Sequence, residues 1–253
     1  VLARARIDTV LGCWSGLGYY RRARHLHAAA RVVARDGFPA TAAGWRALPG
    51  VGAYTAAAVA SIALGERAAV VDGNVERVLC RLHARRRGRR RVKELAEAWI
   101  SPSAPGDHNQ AVMELGATLC TPHAPRCSDC PLAGDCRGRV APHRYPGPRV
   151  RPRVVVERRA VGYVRRNGRV YLCRVRGPRL DGLWDLPAAD RRSRRLGTVR
   201  HQILDRRQVI SIHERRGGGA PAGGGGWFGP RAAARLALTA AARKCLRTVG
   251  FLD

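Results

Sequence analysis

From Arg4 to about Cys136 the apolar residues recur every three or four positions, and the run is broken only at LGYY, DGFP, LPGVG and PSAPGD. That rhythm predicts several helices joined by short turns. It stops at APHRYPGPRVRPR, Ala141 to Arg153, which is rich in proline and arginine and has no period, as in a linker. A different pattern follows. VVVERRAVGYVRRNGRVYLCRVR places β-branched residues on both sides of Asn167-Gly168, the pair that favours a two-residue hairpin turn, and TVRHQILDRRQVISIH reads as a second strand pair. GGGAPAGGGG, Gly217 to Gly226, reads as a flexible loop. Pro230 then suits a first helical turn, and ARLALTAAARKCLRTV reads as one closing helix with Leu236, Ala240 and Leu246 inward. The chain divides into an all-α domain at 1–140, a linker at 141–153 and a small α+β domain at 154–253.

At 253 residues with 45% hydrophobic content the chain can bury a core for each domain. No apolar run approaches the roughly 20 residues of a membrane span, and VLARARIDTV lacks the features of a secretory signal. A soluble, cytoplasmic monomer with no membrane partner is expected. Lys and Arg outnumber Asp and Glu 47 to 18, a net charge of +29, which draws a protein onto nucleic acid. Lys93 and Lys244 are the only lysines, so the arginine excess equally reflects GC-rich codon usage. The run at Ala84–Lys93 reads as solvated loop.

Four of the eight cysteines, Cys120, Cys127, Cys130 and Cys136, are spaced C-x6-C-x2-C-x5-C. Structural zinc usually takes two close pairs, whereas this array has one close pair between wider gaps, so an iron-sulfur cluster is favoured over zinc, and a disulfide is disfavoured in a reducing compartment. Cys13, Cys80, Cys173 and Cys245 sit at apolar periodic positions and read as buried small hydrophobes.

The helix NQAVMELGATLC running into this cysteine array, downstream of LPGVGAYTA and VVDGNVERVL, resembles the helix-hairpin-helix DNA glycosylases that carry a [4Fe-4S] cluster, and within them the adenine-removing branch. The similarity extends through GLGYYRRARHLH and the C-terminal LDGLWDLP. It implies a multidomain protein with a helix-hairpin-helix glycosylase domain, a cluster loop at 120–136 and a small Nudix-like domain. The implied partner is double-stranded DNA with adenine opposite 8-oxoguanine or guanine, at the nucleoid. Nothing resembles the acidic helix with which Nudix hydrolases hold magnesium.

Residue roles follow from the same resemblance, beside plainer ones. Gly50, Val51 and Gly52 form a hairpin in which Gly50 and Gly52 permit φ > 0 and amides face a phosphate, or else a simple helix–helix turn. Tyr54 stands where the glycosylase/lyases carry a Schiff-base lysine, which favours hydrolysis over lyase chemistry. Asp72 is either the N-cap of GNVERVLCRL or also the carboxylate that stabilises the oxocarbenium-like sugar as the base departs. Asn74 matches the residue that orients it. Tyr19 is the wedge beside the opposing base, or a packing residue; Tyr20 packs on Trp14; and Arg21, Arg22 and Arg24 lie near phosphates. Val199-Arg200-His201 aligns with a lesion-reading loop of which only His201 is retained, and a structural histidine is the other reading.

The family's general acid is a glutamate in a Ser-Glu-x-x-x-Gln-Gln-Thr pattern, and these 253 residues contain no such pattern and no glutamate before Glu66. The chain begins with Val1, so the expectation is that an N-terminal segment precedes it and that the 253 residues alone excise little adenine. Two alternatives stand: an endonuclease III-like glycosylase/lyase, and a DNA-binding remnant without chemistry.

Overall fold

In the computed structural model, residues 1–86, 88–148, 153–177, 180–189, 193–203, 205–215 and 224–253 are described. The chain splits into two compact units, Val1–Arg31 with Arg151–Asp253, and Val32–Val150. The linker positions 149–152 and the loop positions 216–223 lie outside the described residues. No helix of the described residues is long and apolar enough to cross a membrane.

The helices are α1 Ile7–Cys13, α2 Arg21–Asp36, α3 Ala42–Ala47, α4 Ala53–Leu64, α5 Gly73–Leu82, α6 Arg89–Trp99 and α7 Pro105–Thr118, and they follow the apolar period except that α6 starts inside the Ala84–Lys93 run expected to be solvated loop, because Val92 is drawn into the core. The second unit is built on α5, whose Val75, Val78, Leu79 and Cys80 bury against Val92 and Ala96 of α6 and Val112 of α7. Two glycines of α7 let it pack closely. A Cβ on Gly106 would lie 2.8 Å from the Ser61 carbonyl oxygen of α4, and one on Gly116 would lie 2.7 Å from the Cβ of Asn74 of α5. α7 thereby draws α4 and α5 onto one scaffold.

In the other unit, β1 Val155–Tyr163, β5 Arg195–Ile203 and β6 Arg206–Glu214 form a three-stranded sheet in the order β1-β6-β5. β5 and β6 are antiparallel neighbours, as their sequence predicts, but β6 also runs parallel to β1, a non-local pairing with no short-range signal. The second sheet centres on β3 Arg169–Arg174, which pairs antiparallel with β2 Arg165–Arg166, β4 Trp184–Asp185 and β7 Gly225–Phe228. Asn167 and Gly168 join β2 to β3 with φ of 48° and 71°, the two positive values a type I′ turn requires. Gly225 and Gly226, expected in the flexible loop, instead pair with Cys173 and Leu172. The Tyr171 ring occupies the space where a Gly225 side chain would stand, so the glycine is a packing requirement.

The closing helix is two helices. α8 Pro230–Arg235 starts on proline as expected, and α9 Ala240–Thr248 follows after a break. Between them Leu238 makes a parallel bridge to Trp184, and Thr239 Oγ1 accepts the Ala242 amide as the N-cap of α9. Ala240 is exposed and Leu236 only half-buried, while Ala241, Cys245 and Leu246 fill the core with Val170, Leu172, Ile210 and Ile212. Residues 1–31 add a smaller core in which Val10, Leu11, Tyr20 and Ala23 pack with Leu183 and Ala237, and Trp14 lies against it. Tyr20 completes this contact by donating its hydroxyl to the Leu238 carbonyl at 3.3 Å. Cys13, expected to be buried, is exposed at the end of α1, whereas burial and the nearby Asp185 push the Cys245 thiol up to about 12, leaving it inert at neutral pH.

Candidate active site and cysteine loop

The hairpin is the turn between α3 and α4. Thr41 Oγ1 caps α3 by accepting the Gly44 amide at 3.2 Å, and Glu66 Oε2 accepts the Ala42 amide at 2.6 Å, fixing the helix that leads in. Gly50 takes φ 77°, where a side chain would be strained. Gly52 does not: it is the N-cap of α4 in an extended conformation, φ −85°, so the expectation of positive φ holds for one glycine of the pair. No side chain caps α4, so its first amides are open to an anion at the positive end of the helix dipole.

Tyr54 lies in the first turn of α4, 44% exposed, with its hydroxyl 3.6 Å from the Met113 sulfur of α7. Three residues along α7, roughly 4.5 Å of helix, Gly116 abuts Asn74. α7 therefore brings the starts of α4 and α5, and with them Tyr54, Asp72 and Asn74, to the same stretch of the unit.

Asp72 is the N-cap of α5, and its Oδ1 accepts the amides of Asn74 at 2.8 Å and Val75 at 2.7 Å. Oδ2 has no hydrogen-bond partner among the described residues. Capping thus engages one carboxylate oxygen and leaves the other available. Asn74 orients Asp72 through its main chain, not its side chain, whose Oδ1 accepts from Arg77 at 2.9 Å. The segment leading into Asp72 is held by a residue the sequence did not single out. Asn109 of α7, 4% exposed, accepts the Val70 amide at 3.1 Å and donates to Ser61 Oγ and the Ala68 carbonyl, both at 2.9 Å. Nothing local marks it, because its partners lie on α4 and in the segment before Asp72.

Two arginines one turn apart on α5 reach the cysteine loop. Arg77 donates to the carbonyls of Cys120 at 2.7 Å and Gly116 at 2.6 Å. Arg81, 3% exposed, donates to the carbonyls of Thr121, Pro122 and Pro142 and, at 3.3 Å, to the Cys120 sulfur. This is the shape of an arginine chosen to gather otherwise unpaired loop carbonyls. Cys120, Cys127, Cys130 and Cys136 are unbridged and half-buried, and all four line one small pocket with Arg81, Leu119 and Pro142. Burial pushes the Cys136 thiol up, and its proximity to the other three thiols adds to the shift. Among the described residues no three His, Cys, Asp or Glu side chains converge on a single metal ion. A donor set of four soft thiols around a shared cavity with a guanidinium against one sulfur fits a soft metal group.

The remaining site residues lie in the other unit. Tyr19 is 68% exposed with φ 47°, an uncommon conformation for a bulky residue, and Arg22 stacks over its ring at 5.4 Å. Arg21 is exposed, but Arg24 turns back to Asp181 at 3.8 Å. Val199, Arg200 and His201 are not in a loop: they lie within β5, paired with Ile210, Val209 and Gln208. The β5–β6 connection falls at 204–205 instead, and residue 204 lies outside the described residues. Burial, followed by the charge of Lys244, pushes the His201 pKa down, and its Nδ1 is buried with no partner among the described residues.

The second unit thus joins a hairpin before α4, a capping carboxylate at the start of α5 and a cysteine loop tied to α5. Residues 1–102 match the model of the HhH-GPD superfamily of base excision DNA repair proteins. Among curated proteins the chain is similar to adenine DNA glycosylases. It is 48% identical to that of Homo sapiens over 148 residues, which are 54% of this chain and 27% of the human one. It is 43% identical to that of Mycobacterium tuberculosis over 150 residues, 51% of this chain and 46% of the relative. The chain therefore spans less than half the length of these relatives. A solved thermostable thymine-DNA glycosylase superposes with a TM-score of 0.50 at 30% identity, over 55% of this chain and 68% of its own.

Proposed function

We propose that the chain acts in an adenine DNA glycosylase that hydrolyses the N-glycosidic bond of adenine opposite 8-oxoguanine or guanine in duplex DNA. The observation that carries this reading is the split use of the Asp72 carboxylate: Oδ1 is anchored by two amides while Oδ2 is left for a positive centre. Asp72 stabilises the sugar cation as the base leaves, water completes the hydrolysis, and Asn74 and Tyr54 position the sugar side of the site. The amides around Gly50, Val51 and Gly52 hold a phosphate, Arg21 contacts the DNA backbone, and Tyr19 enters the stack beside the opposing base. The Ser-Glu-x-x-x-Gln-Gln-Thr pattern that supplies the family's general acid is not in these 253 residues, so by themselves they release little adenine.

Residues 1–140 then form the helix-hairpin-helix glycosylase domain and 154–253 a Nudix-like domain that assists recognition of the opposing base, with His201 as a supporting rather than a reading residue. Cys120, Cys127, Cys130 and Cys136 would hold a [4Fe-4S] cluster, which supplies a rigid cross-link of the loop when bound. The protein works as a monomer. Tyr54 in place of a lysine favours this hydrolytic reading over a lyase.

Supplied with the Ser-Glu-x-x-x-Gln-Gln-Thr segment, the chain is expected to release free adenine from an 8-oxoguanine:adenine duplex, with no borohydride-trapped adduct. A trapped adduct in high yield would establish the lyase instead. Duplex binding without base release would establish a DNA-binding protein without chemistry.

A further inference from the structure

The unit that contains β1 to β7 carries an open groove that the proposed excision does not use. It wraps the end of β7, where Gly229 turns the chain into α8, and is lined by Arg169, Trp227, Phe228, Pro230 and Arg231. Its aromatic wall is fixed in place. Trp227 meets Tyr171 edge-on at 5.3 Å and Phe228 meets Trp184 edge-on at 4.9 Å, so both rings are set before any ligand arrives. Arg169 and Arg231 are exposed, and among the described residues no acidic side chain lines the groove. The β2–β3 hairpin extends the positive rim, since Arg165 and Arg166 are exposed and Arg166 pairs directly with Arg169.

An occupant complementary to this groove needs a flat π face for the aromatic wall and negative charge for the two arginines. We propose that the groove binds single-stranded DNA, a base stacking on Trp227 while the flanking phosphates pair with Arg169 and Arg231. Aromatic side chains along a cationic track are how sequence-tolerant single-strand binding is built, because every base presents a π face. A proline-rich peptide would use the aromatic wall but leave both arginines without a counter-charge. The site is independent of the adenine glycosylase reading, because binding here requires no base excision and no residue of the Asp72 site.

The test is fluorescence polarisation of a labelled twelve-nucleotide thymidylate strand with the 253-residue chain over a range of salt concentrations. Arg169→Ser with Arg231→Ser removes two phosphate contacts and is expected to flatten the slope of log affinity against log salt by about 1.4. Trp227→Leu is expected to weaken binding at least about fivefold while leaving that slope unchanged. Should Trp227→Leu unfold by circular dichroism, the exposed arginine pair still decides. A strand carrying 5-iodouracil is expected to cross-link at Trp227 or Phe228. Unchanged slope and affinity in the arginine variant would overturn the proposal, as would cross-links confined to other residues. So would a decaproline peptide whose binding depends on Trp227 while the thymidylate strand is indifferent to it.

Discussion

Replacing Asp72 by asparagine separates its two roles, because the structure assigns them to different features of one side chain. The cap depends on Oδ1, which accepts two amides at 2.8 and 2.7 Å, and an asparagine oxygen can keep both. The negative charge is what Asp72→Asn removes. At about 4 Å and an effective dielectric near 20, that charge is worth roughly 4 kcal/mol to a cationic sugar, or about a thousandfold in affinity for a mimic of it. The assay compares binding of a duplex whose target sugar is a protonated pyrrolidine with one carrying a neutral tetrahydrofuran, and so needs no general acid. The parent is expected to prefer the cationic duplex by up to that factor, and Asp72→Asn to lose the preference at nearly unchanged thermal stability. Asp72→Ala should lose the preference and the cap, costing about 1 kcal/mol and roughly 2–4 °C in melting temperature. If Asp72→Asn retains the preference for the cation, the carboxylate does not face the sugar and the proposed chemistry fails.

Asn109→Leu leaves the Val70 amide and the Ala68 carbonyl unpaired in a buried site, and the cost expected in urea unfolding is about 3–5 kcal/mol; a loss under 1 kcal/mol would show that water replaces the side chain. Anaerobically purified protein is expected to contain iron and acid-labile sulfide and to absorb visible light, whereas stoichiometric zinc without a chromophore would refute the cluster. Burial pushes the His108 pKa below its usual 6.5, so the unfolded chain takes up the proton first as the pH falls. The associated stability is present above 6.5 and is lost below it as the pH falls through the folded-state value. His108→Phe, which keeps the edge-on contact with Trp99, should remove that part of the acid slope; an identical slope in the variant would assign it to other groups.

The helices, the Asn167-Gly168 turn, the β5–β6 pair and Asp72 as a cap were legible because each rests on residues close in sequence. What was not legible depends on distant partners. The LALT segment between α8 and α9 keeps a helical period, yet Leu238 is drawn into a bridge with Trp184, and a local pattern cannot register that competition. The β1–β6 pairing joins strands about fifty residues apart and leaves no short-range mark. Asn109 looked like an ordinary polar position on a helix, and its three hydrogen bonds exist only once α7 lies against Ser61 and the 68–70 segment. The offset of Val199-Arg200-His201 came from aligning a loop without knowing that the strand continues to Ile203.

The division of the chain has a consequence for how it can be taken apart. Residues 1–31 belong with 151–253, so the backbone leaves that unit inside α2 and returns to it at the linker. A protease that cuts the linker therefore does not free the C-terminal part. Tyr20, Leu11 and Ala23 remain interlocked with Leu183 and Ala237, and Asp8 remains paired with Arg174 at 2.9 Å, so the nicked halves co-elute as a complementing pair. A second cut, near Arg31 within α2, would sever the remaining covalent connection between the two units while leaving that small core intact.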